Sequence, residues 1–201
     1  EWVLRNACIF LKRLQQEGFG DRTVSVNVSK MQILQDDFAD SLLEIIEIAG
    51  IDPQSLEIEV PESILIEYYD LVTEKLNTLK DHGVRVTLDN FGKGYSALNY
   101  LRKLPITSVK LDKTFSDIIT IGEESRILTD FMIKLARSAQ LHIIGDGVEN
   151  REQFEYLIRN GCKRLQGYYI SRPLPEREAL RKLQEAAARM AGDADAVKTE
   201  E

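Results

Sequence analysis

Six short runs of β-branched and aliphatic residues, each parted from the next by a stretch long enough for a helix, constrain this chain most. The runs cover residues 24–28, 56–60, 84–88, 108–111, 141–144 and 164–170, and their composition and length predict strands. The intervening stretches carry helical periodicity, clearest as Leu71, Leu76 and Leu79 and as Ile127, Leu128, Phe131 and Leu135. Gly18, Gly20, Gly50, Gly83 and Gly161 fall where these helices should stop, a usual station for a left-handed cap. Repeated strand, helix, strand order implies parallel strands joined by right-handed crossovers, hence an α/β barrel or an open doubly wound sheet. No glycine-rich dinucleotide or P-loop fingerprint follows the first run, which weighs against the nucleotide-binding open sheet. Residues 176–190 read as a further helix and residues 193–201 as a polar tail. With no internal repeat or linker, the expected organisation is one domain over residues 1–190 and a tail over 191–201.

Charge narrows the function. A formal net charge of −7 is the wrong sign for tracking a nucleic-acid backbone, so DNA is not an expected partner. A small phosphate ester held through metal ions stays compatible, because the cations then supply the positive charge. The two cysteines, Cys8 and Cys162, show neither metal-ligand nor disulfide-framework spacing and are expected to be buried thiols in a reducing, cytoplasmic setting. No apolar run reaches the roughly 20 residues needed to span a bilayer, so no membrane contact is expected of this segment. The first residue is Glu1 and no signal-peptide pattern follows it, which reads as an excerpt of a longer chain.

Polar residues recur at one end of the predicted strands. Asn27 lies in the first; Glu62 follows the second; Asp89 and Asn90 follow the third; Lys110 and Asp112 end the fourth; Asp146 and Glu149 follow the fifth; Gln166 sits in the sixth. In a parallel barrel all C-terminal strand ends meet on the face where loops build the active site. Crowded carboxylates repel unless positive charge sits among them. A set of oxygen donors without His or Cys suits a hard ion, Mg²⁺ or Mn²⁺, rather than Zn²⁺. Such ions polarise a phosphoryl oxygen and activate water, so metal-assisted phosphodiester hydrolysis is the chemistry this pattern suggests, with Lys110 neutralising charge or orienting the water. Charged residues at strand ends also simply meet solvent; their joint placement is what favours a ligand site.

The segments VNVSKMQ, LEIEVPES, TLDNFGKGYSALNYL, LPITSVKLDKTF, GDGVENREQ and GCKRLQGYYISRPLP resemble, in order and spacing, the successive motifs of EAL domains. The resemblance implies a TIM-type (β/α) barrel, in a family whose active members hydrolyse cyclic di-GMP to pGpG with Mg²⁺ or Mn²⁺. By motif, Asn27, Glu62, Asp89, Asn90 and Asp112 fall on metal positions, Lys110 on the family's lysine, Asp146 on its general base, and Glu149 and Gln166 on further site positions. Residues 91–95 resemble the loop that couples metal binding to dimer contacts, which implies a homodimer; a protein partner is the other expectation.

Three departures from the family pattern count against full activity. Asn90 stands where the resemblance expects a second Asp, removing one negative charge from the second metal position. Asp146 stands where it expects Glu and is one methylene shorter, and a displacement of about 1 Å can cost about 100-fold in rate. The Glu-Ala-Leu segment itself is absent, and with it a metal ligand and a substrate-binding Arg. Six legible strands against the eight of a closed barrel imply further N-terminal sequence that supplies the rest. The expected function is therefore a cyclic di-GMP phosphodiesterase by ancestry with impaired or lost activity; a non-catalytic cyclic di-GMP receptor or an interaction module is the alternative.

Other residues are expected to be structural. His82 and His142 lack paired partners in sequence, Tyr68 and Tyr69 read as helix packing, and Ser96 has no His and Asp pattern to activate it. Trp2 is expected to plug the first helix onto the barrel wall.

Overall fold

The computed structural model describes residues 1–93 and 101–198, and elements are numbered among those residues. Strands β1 (Val24–Asn27), β2 (Leu56–Pro61), β3 (Arg85–Phe91), β4 (Ser108–Leu111), β5 (His142–Gly145) and β6 (Arg164–Leu165) form one six-stranded sheet in sequence order. Every neighbouring pair is parallel. Helices α1 (Trp2–Gln16), α2 (Lys30–Ile33), α3 (Phe38–Ala49), α4 (Glu62–Asp81), α5 (Lys113–Asp117), α6 (Glu123–Ser138), α7 (Arg151–Arg159) and α8 (Glu176–Lys198) complete the fold. The chain forms two compact units, Glu1–Ile170, which holds the whole sheet, and Ser171–Glu201, which holds α8. The expected α/β class with a curled, barrel-type parallel sheet is what forms.

Strand register divides the sheet into two unlike faces, since alternate side chains point to opposite sides. One face carries Val26, Ile58, Val86, Leu88, Val109, Leu111 and Ile143, all buried in the core with Leu11, Leu42, Leu76 and Leu79 from the helices. Burying such a side chain contributes about 1.5–3 kcal/mol, so this layer is the main source of stability. The other face carries Ser25 and Asn27, Glu57 and Glu59, Thr87, Ser108 and Lys110, and Arg164. The in-register pairs Ser25 with Glu57, Asn27 with Glu59, Glu59 with Thr87 and Thr87 with Ser108 place these residues on one side. The inner face of the sheet is therefore largely polar, with Ile144 sharing it in register with Lys110 and Arg164.

Helix boundaries follow local chemistry. Ser29 opens α2 and Asn150 opens α7 with reciprocal capping boxes to Gln32 and Gln153, and α3 ends on left-handed Gly50 as its glycine predicts.

Several expectations require correction. Trp2 does not plug the wall: it is 76% exposed, and α1 packs through Leu4, Cys8, Leu11 and Leu14. The face of α6 bearing Ile127, Leu128 and Phe131 also lies outward, Phe131 being 54% exposed, while Thr129, Ile133 and Ala136 are buried. Hydrophobicity alone picked the wrong stripe because Thr129 and Ala136 are small enough to sit close to the sheet. On α4, exposed Leu71 yields to buried Val72 beside Leu76 and Leu79. Strand β6 ends at Leu165, so Gln166 follows it rather than lying inside. Conversely β3 extends to Phe91, so Asp89 and Asn90 lie within a strand. Helix α8 continues past Met190 to Lys198. Cys8 and Cys162 are buried free thiols as expected, and burial pushes Cys162 up to about 12.

Candidate active site at the C-terminal edge of the sheet

Because every strand is parallel, the ends of β1 to β6 share one edge, and the sequence-predicted residues are delivered there. Asn27 ends β1; Glu62 begins α4 directly after β2; Asp89 and Asn90 lie in β3; Lys110 lies in β4 and Asp112 caps α5 behind it; Asp146 and Glu149 follow β5; Gln166 follows β6.

Backbone irregularity sets the aim of the β3 pair. The register between β3 and β4 shifts between Leu88 and Phe91, and Asn90 adopts a left-handed φ of 57, a conformation an Asn tolerates better than most residues. Such a bulge re-aims side chains next to a site. It places the Asn90 amide Nδ2 where it donates to Asp89 Oδ2 at 2.7 Å. Asn90 thus offers Asp89 a neutral donor rather than a second carboxylate. Immediately after, Gly92 has a φ of 101 and faces Phe115 so closely that an added Cβ would lie 2.5 Å from its ring. Only glycine brings this backbone N–H to Glu62 Oε2, at 3.0 Å.

Lys110 is buried, at 5% exposure, and its ammonium lies 2.7 Å from Glu59 Oε2 and 3.9 Å from Asp89 Oδ1. Burial opposes its charge, but the Glu59 hydrogen bond, with attraction from Glu59, Asp89 and Asp146, outweighs burial and raises the ammonium above its ordinary value. Lys110 is therefore a fixed cation beneath the rim. Asp112 is buried as well. Its Oδ1 accepts from Thr114 N–H at 3.0 Å and from Thr114 Oγ1 at 2.7 Å, while its Oδ2 lies 2.8 Å from Lys93 Nζ. Burial would raise this carboxyl, yet the bonds from Lys93 and Thr114 hold it below the usual carboxylate range.

Beyond β5, Gly147 has a φ of 68, and a Cβ there would lie 2.3 Å from Lys113 Cγ. The bare backbone lets Lys113 lie across it and bond Glu149 Oε1 at 2.7 Å. Asp146 is half-buried, its backbone carbonyl accepting from Ser116 Oγ, and its carboxylate bonds nothing among the described residues. The side chains of Asn27 and Gln166 are exposed at the same edge.

A lower tier lies two residues nearer the strand starts on the same face. Glu57 is wholly buried and accepts from Ser25 at 3.2 Å, Ser108 at 2.8 Å, Thr87, and both guanidinium nitrogens of Arg164. Burial pushes its pKa up, but these donors win and hold it at about 2.

The carboxylates and amides that the sequence pattern brings to this rim can offer oxygen ligands, the chemistry a hard divalent cation prefers. Among the described residues no group of three His, Cys, Asp or Glu stands close enough to hold an ion, and several of the carboxylates are paired within the chain: Lys93 with Asp112, Lys110 with Glu59, Asn90 with Asp89 and Lys113 with Glu149. Sequence reading missed Glu57, Glu59 and the pairings of Lys93 and Lys113. The two glutamates had a signal: at i and i+2 in an otherwise apolar strand, they must share the inner face. His82 and His142 are exposed and apart from the rim. Tyr69 packs on the core, whereas Tyr68 is over a third exposed beneath the Lys30 ammonium, 4.7 Å from its ring centre. Residues 94–95 of the expected coupling loop, and Ser96, lie outside the described residues.

Comparison with known proteins agrees with this architecture. The family model for the EAL domain matches residues 1–173. Over 175 residues the chain is 35% identical to cyclic di-GMP phosphodiesterase NbdA of Pseudomonas aeruginosa, covering 87% of this chain and 22% of that protein. It is 33% identical to signaling protein YkoW of Bacillus subtilis over the same shares. The chain thus spans under a quarter of the length of these relatives. Among solved structures, the PaMucR phosphodiesterase in complex with c-di-GMP superposes with a TM-score of 0.85 at 32% identity, over 89% of this chain and 72% of that one. The EAL domain of Mycobacterium smegmatis DcpA superposes with a TM-score of 0.86 at 31% identity, over 92% and 83%.

Proposed function

The chain belongs to the EAL domain family, and from that premise we propose that it binds cyclic di-GMP at the C-terminal edge of its sheet and hydrolyses it to pGpG slowly or not at all. Relatives that carry the phosphodiesterase name, and a superposable structure that holds c-di-GMP, support the ligand. The observation that carries the impairment is the Asp89–Asn90 pair, in which an amide donates to the one carboxylate where the resemblance expects two.

Asn27, Glu62, Asp89, Asn90 and Asp112 would hold Mg²⁺ or Mn²⁺. Such an ion supplies a polarised phosphoryl oxygen and a bound water of lowered pKa. Lys110, kept cationic by Glu59, stabilises negative charge that develops on the phosphodiester oxygens. Asp146 takes a proton from the attacking water, and its half-buried carboxylate, which bonds nothing among the described residues, suits that role. Its side chain is one methylene shorter than the family's Glu, which sets it back from the water. Glu149, aimed by Lys113, and Gln166 contact the ligand at the rim. A homodimer belongs to the same reading on the resemblance alone. The cytoplasm, the compartment that keeps Cys8 and Cys162 reduced, is its expected location.

Titration with cyclic di-GMP in Mn²⁺, following binding and pGpG release together, tests this reading. Binding with turnover that rises in Asp146→Glu by an order of magnitude or more is the expected result. Asn90 favours a second reading, a receptor that binds without hydrolysis; turnover at a rate typical of hydrolases would eliminate it. No binding at all would remove both and leave an interaction module.

A further inference from the structure

We propose that Lys93 is a tethered counter-ion that competes with a divalent cation for Asp112, so that metal loading of this site requires the lysine to leave. The inference rests on the metal-dependent reading above and concerns how that site is regulated.

Asp112 has two oxygens with separate duties. Oδ1 is committed to the α5 cap through both the N–H and the hydroxyl of Thr114. Oδ2 faces the rim and meets Lys93 Nζ at 2.8 Å. The two cations near this point differ in freedom. Lys110 is buried and bonded to Glu59, whereas the Lys93 side chain is 63% exposed while the Asp112 side chain is 4% exposed. Lys93 therefore reaches in from solvent on a flexible arm and can return there at little cost, because its ammonium regains water.

Asp112 Oδ2 cannot accept from an ammonium and coordinate a divalent ion along the same direction, and the two positive charges repel at that range. Asp89, which also attracts Lys93, contributes to the same seat, and neutral Asn90 beside it removes the extra charge that would tip the balance toward a metal. Lysine and amide act together: each lowers the advantage a divalent ion holds over the chain's own cation. By linkage, the ion must loosen Lys93 as much as Lys93 weakens the ion.

Mn²⁺ titration followed by the electron paramagnetic resonance of free Mn²⁺ tests this on the chain, on Lys93→Met and on Lys93→Arg. Lys93→Met should bind on the order of 10-fold more tightly, the scale of one exposed ion pair plus its charge repulsion, and Lys93→Arg should match the parent. In the unmodified chain, acetylation of Lys93 by acetic anhydride, read by mass spectrometry, should accelerate when Mn²⁺ is added. Equal affinity of Lys93→Met and parent would overturn the counter-ion while leaving the metal site intact, as would acetylation that bound Mn²⁺ does not change. A gain in Lys93→Arg equal to that in Lys93→Met would also overturn it, since charge would not be the cause. Failure of all three proteins to bind Mn²⁺ would instead refute the metal-dependent reading, and the counter-ion with it.

Discussion

The two polar tiers on the inner face of the sheet begin from the same strands two residues apart, as Glu57 and Glu59, Thr87 and Asp89, and Ser108 and Lys110 show, the upper one gaining carboxylates from the segments that follow the strands, and they end in opposite electrical states. In the lower tier a single carboxylate, Glu57, is met by Arg164 and three hydroxyls from Ser25, Thr87 and Ser108. Every oxygen direction is used and nothing charged is left over. In the upper tier, among the described residues, Lys93 pairs with Asp112, Lys110 with Glu59 and Asp89, and Lys113 with Glu149, while Glu62 and Asp146 add two further carboxylates. Similar residue types thus sit in two settings: where donors match acceptors the cluster holds strands together, and where acceptors exceed donors it would suit the cationic or ligand partner proposed above.

The largest expected effect breaks the lower tier. Arg164 reaches across from β6 to β2, 107 residues away in sequence, so Arg164→Met leaves Glu57 charged and buried with only hydroxyl partners. A loss of about 3 kcal/mol is expected, the low end for breaking a buried pair because the Arg164 side chain is 42% exposed, read as a lower urea midpoint. A loss below about 1 kcal/mol would show that the tier is not structural.

Acid should do the same without mutation. Glu57 sits at about 2 in the fold against an ordinary value of 4.5, so its contribution is fully present above the ordinary value. It falls away as pH drops toward about 2, for a total of roughly 3 kcal/mol. Urea melts at pH 6, 4 and 3 should show this decline, and Glu57→Gln should flatten it while lowering stability at pH 6. An unchanged slope in Glu57→Gln would assign the acid sensitivity to other carboxylates.

These tiers also mark what sequence could tell. Strand order, the parallel sheet and the rim positions of Asn27, Glu62, Lys110 and Asp112 were legible, because period-two patterns and glycine stops depend on local chemistry. The reach of β3 to Phe91 was not. It depends on a bulge whose register is set by pairing with β4, a contact between residues distant in the chain. The outward turn of Ile127, Leu128 and Phe131 was hidden for a related reason: closeness to a sheet selects small residues such as Ala136, which carry little hydrophobic signal. Pairings such as Lys93 with Asp112 and Lys113 with Glu149 need side chains from neighbouring loops, and spacing along the chain contains no such information.

The smallest effect separates the tiers most sharply. Lys113 and Glu149 form an exposed pair, each side chain about half open to water, so Lys113→Ala should change stability by no more than about 0.5 kcal/mol. Yet the bond fixes the Glu149 carboxylate to Lys113, which lies across Gly147. If the upper tier serves a ligand, freeing Glu149 should weaken cyclic di-GMP binding several-fold in calorimetry while the urea midpoint stays in place, the reverse of Arg164→Met. The control is Lys113→Arg, which keeps a cation beside Glu149 and should restore most of the affinity. Equal loss of affinity in both variants would mean that packing over Gly147, and not the charge on Glu149, is what the lysine supplies; loss of stability in Lys113→Ala without loss of affinity would place the pair with the lower tier.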